Sequence, residues 1–322
     1  MRIPALASAL LLCSITLVFA GDSRKVVAPP TLPKRTISQP ATAPAGEQIA
    51  LPVELLPDAA RAAQPVPNAA TKPRLPRITL YIPPGYTVPA DGRVNLTVHF
   101  HTVAWFAIEE HLRHGLNVPL LVLDLGEGSD TYGRPFRADT QLFTKLLGAV
   151  ESNLRARAGA PASTHVESVQ ISSFSAGYGS VREVLKQPEN VAKIRRVVLA
   201  DSLYASWQEN APTSRASDAQ MDSFAKFADL AAKGEKTLAI THSSIRTGYA
   251  STVDTARWLI DHTKTPVIEV APIEGEPYAL KYRADLGHLH IWGYTGDDAQ
   301  AHLTHVRHIA EVWKALDEAG EP

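Results

Sequence analysis

Twelve histidines, several aspartates at the ends of apolar runs and a serine embedded in Ser-Phe-Ser-Ala-Gly at residues 173–177 are the groups of this chain that could do chemistry. A serine hydroxyl is a weak nucleophile until a base takes its proton, and an imidazole serves as that base when a carboxylate fixes its tautomer and orientation. The question posed by the sequence is whether one serine, one histidine and one carboxylate are brought together.

Ser175 follows the apolar run SVQISSF (168–174) and precedes a stretch that reads as a helix from Ala176. A sharp strand-to-helix turn tolerates only small neighbours and lifts its middle residue clear of the sheet. The N–H of Ala176 and the helix N-terminus would then face the place where an oxyanion forms. The pattern is Ser-x-Ser-x-Gly, with Ser173 where such turns usually carry glycine. The competing reading is a small-residue turn without chemistry.

The acid should sit at another strand end. Asp201 closes RRVVLAD, one helix and one strand after Ser175, whereas the next run, KTLAITHSS, offers no carboxylate before Asp254. The base is harder to choose, because GHLHIWGYTGDDAQAHLTHVRH alone holds five histidines. A last helix is read from Leu303, Val306, Ile309, Trp313 and Leu316; on a 3.6-residue wheel His302 falls at the centre of that apolar face and His308 points outward. His302 is therefore the expected base, with His305 second and His288 third. A second oxyanion donor is expected from the loop after VHFH (98–101), in the N–H of Thr102 or Val103, with His101 bracing that loop. Trp105, Tyr178, Tyr204 and Trp207 follow strand ends and are expected to line an acyl or ring pocket.

The elements that must position these groups alternate along the chain. RITLYIP (77–83) and RVNLTVHFH (93–101) read as strands joined by turn residues, followed by strands at 119–125, 168–174, 195–201, 236–242, 266–272 and 288–294. Helical patterns lie between them, the clearest with Phe143, Leu146, Leu147, Val150 and Leu154 at spacings of three and four. Short apolar strands alternating with amphipathic helices predict an α/β fold, a mostly parallel central sheet with helices on both faces, whose sites lie at the carboxyl ends of the strands.

Composition bounds the rest. The 322 residues are 45% hydrophobic, and 32 Lys plus Arg balance 33 Asp plus Glu, so no net field recruits nucleic acid or an anionic membrane. Residues 1–20 carry one basic residue, an uncharged apolar run and Val18-Phe19-Ala20, and are read as a cleaved secretory signal peptide; the alternative is a retained anchor. Cys13, the single cysteine, lies inside it, so the mature chain would have no thiol chemistry. The product is expected to be secreted or periplasmic, without stable membrane insertion. Residues 21–76 hold eleven of the 24 prolines and no aromatic residue. They are read as a disordered tether, with 49–57 able to dock locally, and the catalytic domain as 77–322.

A strand ending HFHT, the elbow SFSAG, an acid after the next strand and a histidine before the last helix together resemble the α/β-hydrolase superfamily over about residues 77–318. The resemblance implies a Ser, Asp, His triad in that chain order, placed on Ser175, Asp201 and His302, no cofactor, and hydrolysis mostly of esters. Thr102 stands where many members have glycine. The expected activity is serine hydrolysis of a small-molecule or polymer ester through an acyl-enzyme on Ser175. Two other readings remain open. A metal-dependent hydrolase would use the i, i+2 pairs His99/His101 and His288/His290, although no HxHxDH or HExxH motif accompanies them. A catalytically silent binding module would keep the sheet without needing the three residues together.

Overall fold

The computed structural model describes residues 27–61, 75–211, 214–271 and 273–322. The expected signal peptide lies outside them. Among the described residues no helix is long and apolar enough to cross a membrane.

The backbone is built on one sheet of ten strands: β1 (Glu47–Leu51), β2 (Arg77–Ile82), β3 (Arg93–Phe100), β4 (Leu120–Asp124), β5 (His165–Phe174), β6 (Ile194–Ala200), β7 (Thr237–His242), β8 (Val267–Glu269), β9 (Leu280–Leu286) and β10 (Leu289–Tyr294). They lie in the order β1-β2-β4-β3-β5-β6-β7-β10-β9-β8. The strands from β4 to β10 in that order are parallel, and the pairs at both edges are antiparallel. This is the α/β-hydrolase-like architecture that the sequence predicts. After β4 the chain crosses to the other side of β3 to form β5, and such a reversal opens a crevice at the strands' carboxyl ends.

The central strands are apolar on both faces because both are covered. Val197 and Leu199 of β6 face one layer, and Val198 and Ala200 face the other. The first layer is made of α1 (Asp58–Arg61), α3 (Ser129–Ala138), α4 (Leu142–Arg155), α5 (Tyr178–Val184), α6 (Pro188–Lys193), α7 (Asp218–Ala232) and α8 (Thr252–Thr263). The second holds α2 (Ala104–His114), α9 (Ala299–Arg307) and α10 (Ile309–Glu318). The periodicity at 143–154 becomes α4, whose apolar residues are buried.

Three expectations are corrected. The last helix is two, α9 and α10, broken at His308 (φ −123°, ψ 21°). His308 does not point outward: it is buried, and its Nε2–H donates to the Pro33 carbonyl at 2.8 Å. The third correction explains the second, for the described part of the expected tether is packed on the domain. Val27 and Leu32 are buried beside Trp292, Tyr294 and Trp313. Tyr294 donates to the Pro30 carbonyl at 2.8 Å, and Arg35 donates to Glu110 and to the Arg307 carbonyl, each at 2.7 Å. Residues 47–51 form an edge strand antiparallel to β2, and Leu56 is fully buried. A segment without aromatics cannot build a core, but aliphatic side chains can complete one that already exists. Proline limits what such a segment loses on ordering, since φ is fixed beforehand.

Burial of Val27, Leu32, Leu51 and Leu56 is worth roughly 1.5–3 kcal/mol for each side chain before ordering costs. A chain beginning at Lys72 is therefore expected to lose about 3 kcal/mol or more against one beginning at Gly21. Equal midpoints for the two in a urea melt would show that the segment adds nothing to the fold.

Candidate active site

Three neighbouring strands, β3, β5 and β6, are each followed directly by a residue with positive φ: His101 at 68°, Ser175 at 47° and Asp201 at 46°. For a non-glycine residue this costs on the order of 1 kcal/mol or more and persists only where the surroundings over-determine it. Each residue is thereby turned out of its strand at the carboxyl edge.

Around Ser175 the over-determination can be traced. Gly177 lies so close to β3 that a Cβ there would meet the Phe100 carbonyl oxygen at 2.5 Å. Ser202 donates its hydroxyl to the Ser175 carbonyl at 2.9 Å, so the hydrogen in the 2.8 Å contact between Ser173 and Ser202 comes from Ser173. Ser173 in place of glycine is therefore a fully buried link from β5 to the loop after β6. The tie runs through Ser202 to the backbone of the elbow itself.

Asp201 is fully buried and accepts four hydrogen bonds. Oδ1 receives the Ser243 N–H at 3.1 Å and the Thr252 hydroxyl at 2.7 Å; Oδ2 receives the Ser243 hydroxyl and His302 Nδ1–H, both at 2.7 Å. Burial alone would raise the pKa of this carboxyl. The hydrogen bond from His302, the nearby imidazoles and the bond from Thr252 outweigh burial and hold it well below the usual carboxylate range. A carboxylate can only accept, so the His302 nitrogen facing it, Nδ1, carries a proton, and in the neutral ring Nε2 is then the acceptor.

Ser175, Ala176 and His302 line one cavity of about 1210 Å³. The Phe174 ring lies 4.5 Å from the His302 ring and stacks on His101 at 5.9 Å. His101 lines the cavity and its Nδ1 lies 2.9 Å from the Tyr132 hydroxyl, which also receives the Leu125 N–H at 3.1 Å. The loop after β3 is thereby braced against the loop after β4. Thr102 and Val103 follow His101 directly, Val103 as the N-cap of α2.

The other expected positions divide. Tyr178 and Tyr204 line the cavity with their rings 5.5 Å apart, and Tyr249 extends the same wall. Burial, with the Asp201 charge nearby, pushes the Tyr204 phenol up, so it stays neutral. Trp105 and Trp207 do not line the cavity. Trp105 packs in the Phe106, Phe174, Val306 cluster beneath it, and Trp207 donates its indole N–H to the Gly248 carbonyl at 3.0 Å. His305 is buried with Nδ1 3.0 Å from the Thr241 hydroxyl, and burial pulls its pKa down to about 4, so it is neutral at pH 7. His288 stands at the amino end of β10, the far end of the sheet from Ser175.

The paired histidines do not converge on a point. His99 is buried on the sheet with Nδ1 2.7 Å from the Ser172 hydroxyl, while the positive φ at His101 breaks the alternation that would have put both on one face. Both ring nitrogens of His290 are engaged, Nδ1 by Asp285 at 2.7 Å and Nε2 by Glu321 at 2.8 Å. Among the described residues no three His, Cys, Asp or Glu side chains are grouped as metal ligands.

Ser243, Thr252, Ser202 and Tyr132 belong to the site although the sequence reading did not reach them. The signal available was weak: Ser-Ser directly after an apolar strand, and Ser-Thr at a capping box in which Ser251 and Asp254 bond reciprocally.

No protein-family model matches the chain, and no curated protein matches it. Among solved structures it is similar to an uncharacterised protein from Capnocytophaga ochracea, at 12% identity and a TM-score of 0.45 over 76% of this chain and 60% of that one. A ferulic acid esterase is similar at 9% identity and a TM-score of 0.45, over 85% of this chain and 97% of the other. A dienelactone hydrolase from Anabaena variabilis is similar at 10% identity and a TM-score of 0.39, over 85% and 96%.

The four donors around Asp201 generate a pH-dependent expectation. Thr252→Val removes one, and a buried acceptor that loses a partner costs about 1–3 kcal/mol. Because the folded pKa is depressed, the stabilisation is fully present above the unfolded aspartate value of about 3.9 and is lost as pH falls through the folded value. The stability difference between wild type and Thr252→Val should be flat from about pH 5 to 8 and shrink in acid. Urea melts across that range check it, and a difference that grows as pH falls would contradict the proposed charge state.

Proposed function

We propose that this protein is a serine hydrolase of carboxylic esters, with Ser175 as nucleophile, His302 as general base and then general acid, and Asp201 as the residue that orients the imidazole. The observation that carries the reading is the coincidence, at one cavity, of a serine at positive φ and a histidine whose Nδ1 is bonded to a buried, ionised carboxylate.

In this reading His302 Nε2 takes the Ser175 proton as Oγ attacks the ester carbonyl. The oxyanion is received by the Ala176 N–H and by an N–H of Thr102 or Val103. His302 then passes the proton to the leaving alkoxide, and a water, deprotonated in turn by His302, releases the acid. The buried Asp201 stays ionised throughout, stabilising the imidazolium that forms twice per turnover. The tyrosines at 178, 204 and 249 and the polar stretch Glu127, Gly128, Ser129 and Asp130 give the acyl and alcohol parts an aromatic wall and a wet wall. Export by the leader over residues 1–20 belongs to the same proposal.

Ser175→Ala, His302→Ala and Asp201→Asn are each expected to lower turnover of an aryl ester by roughly 10⁴-fold or more, non-additively, with the fold retained. Asp201→Asn acts through the tautomer: an amide N–H facing His302 Nδ1 would place the ring proton on Nε2, where it cannot accept one from serine. His305→Ala and His288→Ala should keep their rates. A fluorophosphonate should label wild type on Ser175 alone, located by mass spectrometry. Full activity in Ser175→Ala, or a label elsewhere, would reject the assignment.

A further inference from the structure

The side chain whose charge the cavity leaves unanswered is Arg182, on α5, the helix that follows the elbow. The guanidinium donates to the Tyr204 carbonyl and to the Tyr178 side chain, sits 4.9 Å over the Tyr178 ring, and keeps Nε buried without a partner. Burial pulls its pKa below the ordinary guanidinium value, yet an arginine remains cationic near neutrality. The acid next to it in sequence, Glu183, acts on it at a distance but makes its direct ion pairs elsewhere, with Lys186 at 2.8 Å and Arg137 at 3.5 Å. Among the described residues Arg182 forms no ion pair.

The remaining charges of the cavity are accounted for or lie at its mouth. Arg137 is paired with Asp130 and Glu183, Asp130 also with Arg134 at 3.3 Å, and Asp298 caps the Ala301 N–H at 2.7 Å. Glu127 and Asp297 are exposed at the rim. A desolvated cation without a directly paired counter-ion is costly, and here the open volume beside it is the space a substrate would occupy.

We infer that Arg182 is a specificity-determining residue that binds a carboxylate carried by the ester substrate itself, so that the preferred substrates are esters bearing a second, free acid group. The inference rests on the ester-hydrolase reading of Ser175. Arg182 lies seven residues beyond Ser175, roughly 10 Å along a helix axis, and helical side chains lean back toward the N-terminus, so the guanidinium reaches toward the elbow. The spacer between ester and acid would lie against Tyr178 and Tyr204. The acids Glu127 and Asp297 on the same cavity repel a carboxylate, so Arg182 is where it would be held.

The test compares kcat/KM for two matched pairs. The mono-para-nitrophenyl ester of adipic acid against para-nitrophenyl hexanoate places the charge in the acyl part; para-carboxyphenyl butyrate against phenyl butyrate places it in the leaving group. In wild type the anionic member of at least one pair should be preferred roughly 10- to 100-fold, the range of a charge-assisted hydrogen bond. In Arg182→Gln that ratio should fall to about one, and in Arg182→Lys, which keeps the charge but not the planar fork, it should lie between. The inference is overturned by a wild-type ratio at or below one in both pairs, by a ratio that Arg182→Gln leaves unchanged, or by added sodium acetate accelerating the neutral esters, which would mean that the site takes a free anion. If Arg182→Gln does not fold, the wild-type ratios and Arg182→Lys decide. Turnover of neutral esters without an anionic preference defeats this inference alone; no turnover of any ester, with no fluorophosphonate label on Ser175, defeats the hydrolase reading instead.

Discussion

A carboxylate taken wholly out of water must find its donors inside the protein, and Asp201 finds them on three other segments of the chain. It closes β6, accepts from Ser243 just after β7, from Thr252 in the first turn of α8, and from His302 on α9. The chain segments bearing these groups are far apart in sequence and share only the carboxyl edge of the sheet. Satisfying one anion therefore fixes the relative placement of two strands and two helices. The imidazole is the only one of the partners with an atom left over to act elsewhere, so the demand for burial and the supply of an oriented base are met by a single arrangement.

The same edge concentrates backbone strain. Positive φ at His101, Ser175 and Asp201 turns three adjacent strand ends outward together, and the small residues around them make it possible. Gly177 allows the elbow to press on Phe100, while Ser173 and Ser202 span the gap between β5 and the loop after β6 by hydroxyl contacts that glycine could not make. The departure from the usual glycine two residues before Ser175 thus does a different job at the same place: it adds a polar tie where a close approach would otherwise have sufficed.

Much of this was legible in the sequence because period and position are local properties. Strands read as apolar runs, the elbow as small residues between a strand and a helix, and Asp201 and His302 as polar groups at predictable ends. What was not legible depends on pairing across distance. Ser243 and Thr252 are common residue types whose role exists only opposite Asp201. Strand β9, mixed in polarity as LKYRADL, becomes a strand because β10 offers it an edge. The helix wheel put His302 at the centre of the buried face, but it is His305 that is buried there while His302 lies half-buried at the cavity, and it misjudged His308 as well, since a wheel knows which face is apolar but not what a remote segment will cover. Trp105 and Trp207 were expected in the cavity because they follow strand ends; their size equally suits them to packing beneath it and to pinning a loop.

The remote segment also bears on the base. A helix end needs partners for its free N–H and C=O groups, and α9, which carries His302, has them at both ends. Asp298 accepts the Ala301 N–H at the start, while at the finish the Arg307 carbonyl receives Arg35 from the N-terminal segment at 2.7 Å and Arg113 from α2 at 3.3 Å. Cationic side chains at a helix C-terminus are favoured by the backbone dipole as well. Where α9 breaks into α10, His308 donates to the Pro33 carbonyl of that segment, and Ile37 packs against the cluster of Phe106, Phe174 and Val306 that underlies Ser175 and His302. A proline-rich stretch with few large side chains is poorly suited to fold by itself but well suited to this task, because its backbone is stiff beforehand and its carbonyls are free to accept. The composition that reads as a tether is, over residues 27–37, that of a strap whose contacts converge on the helix carrying the proposed base.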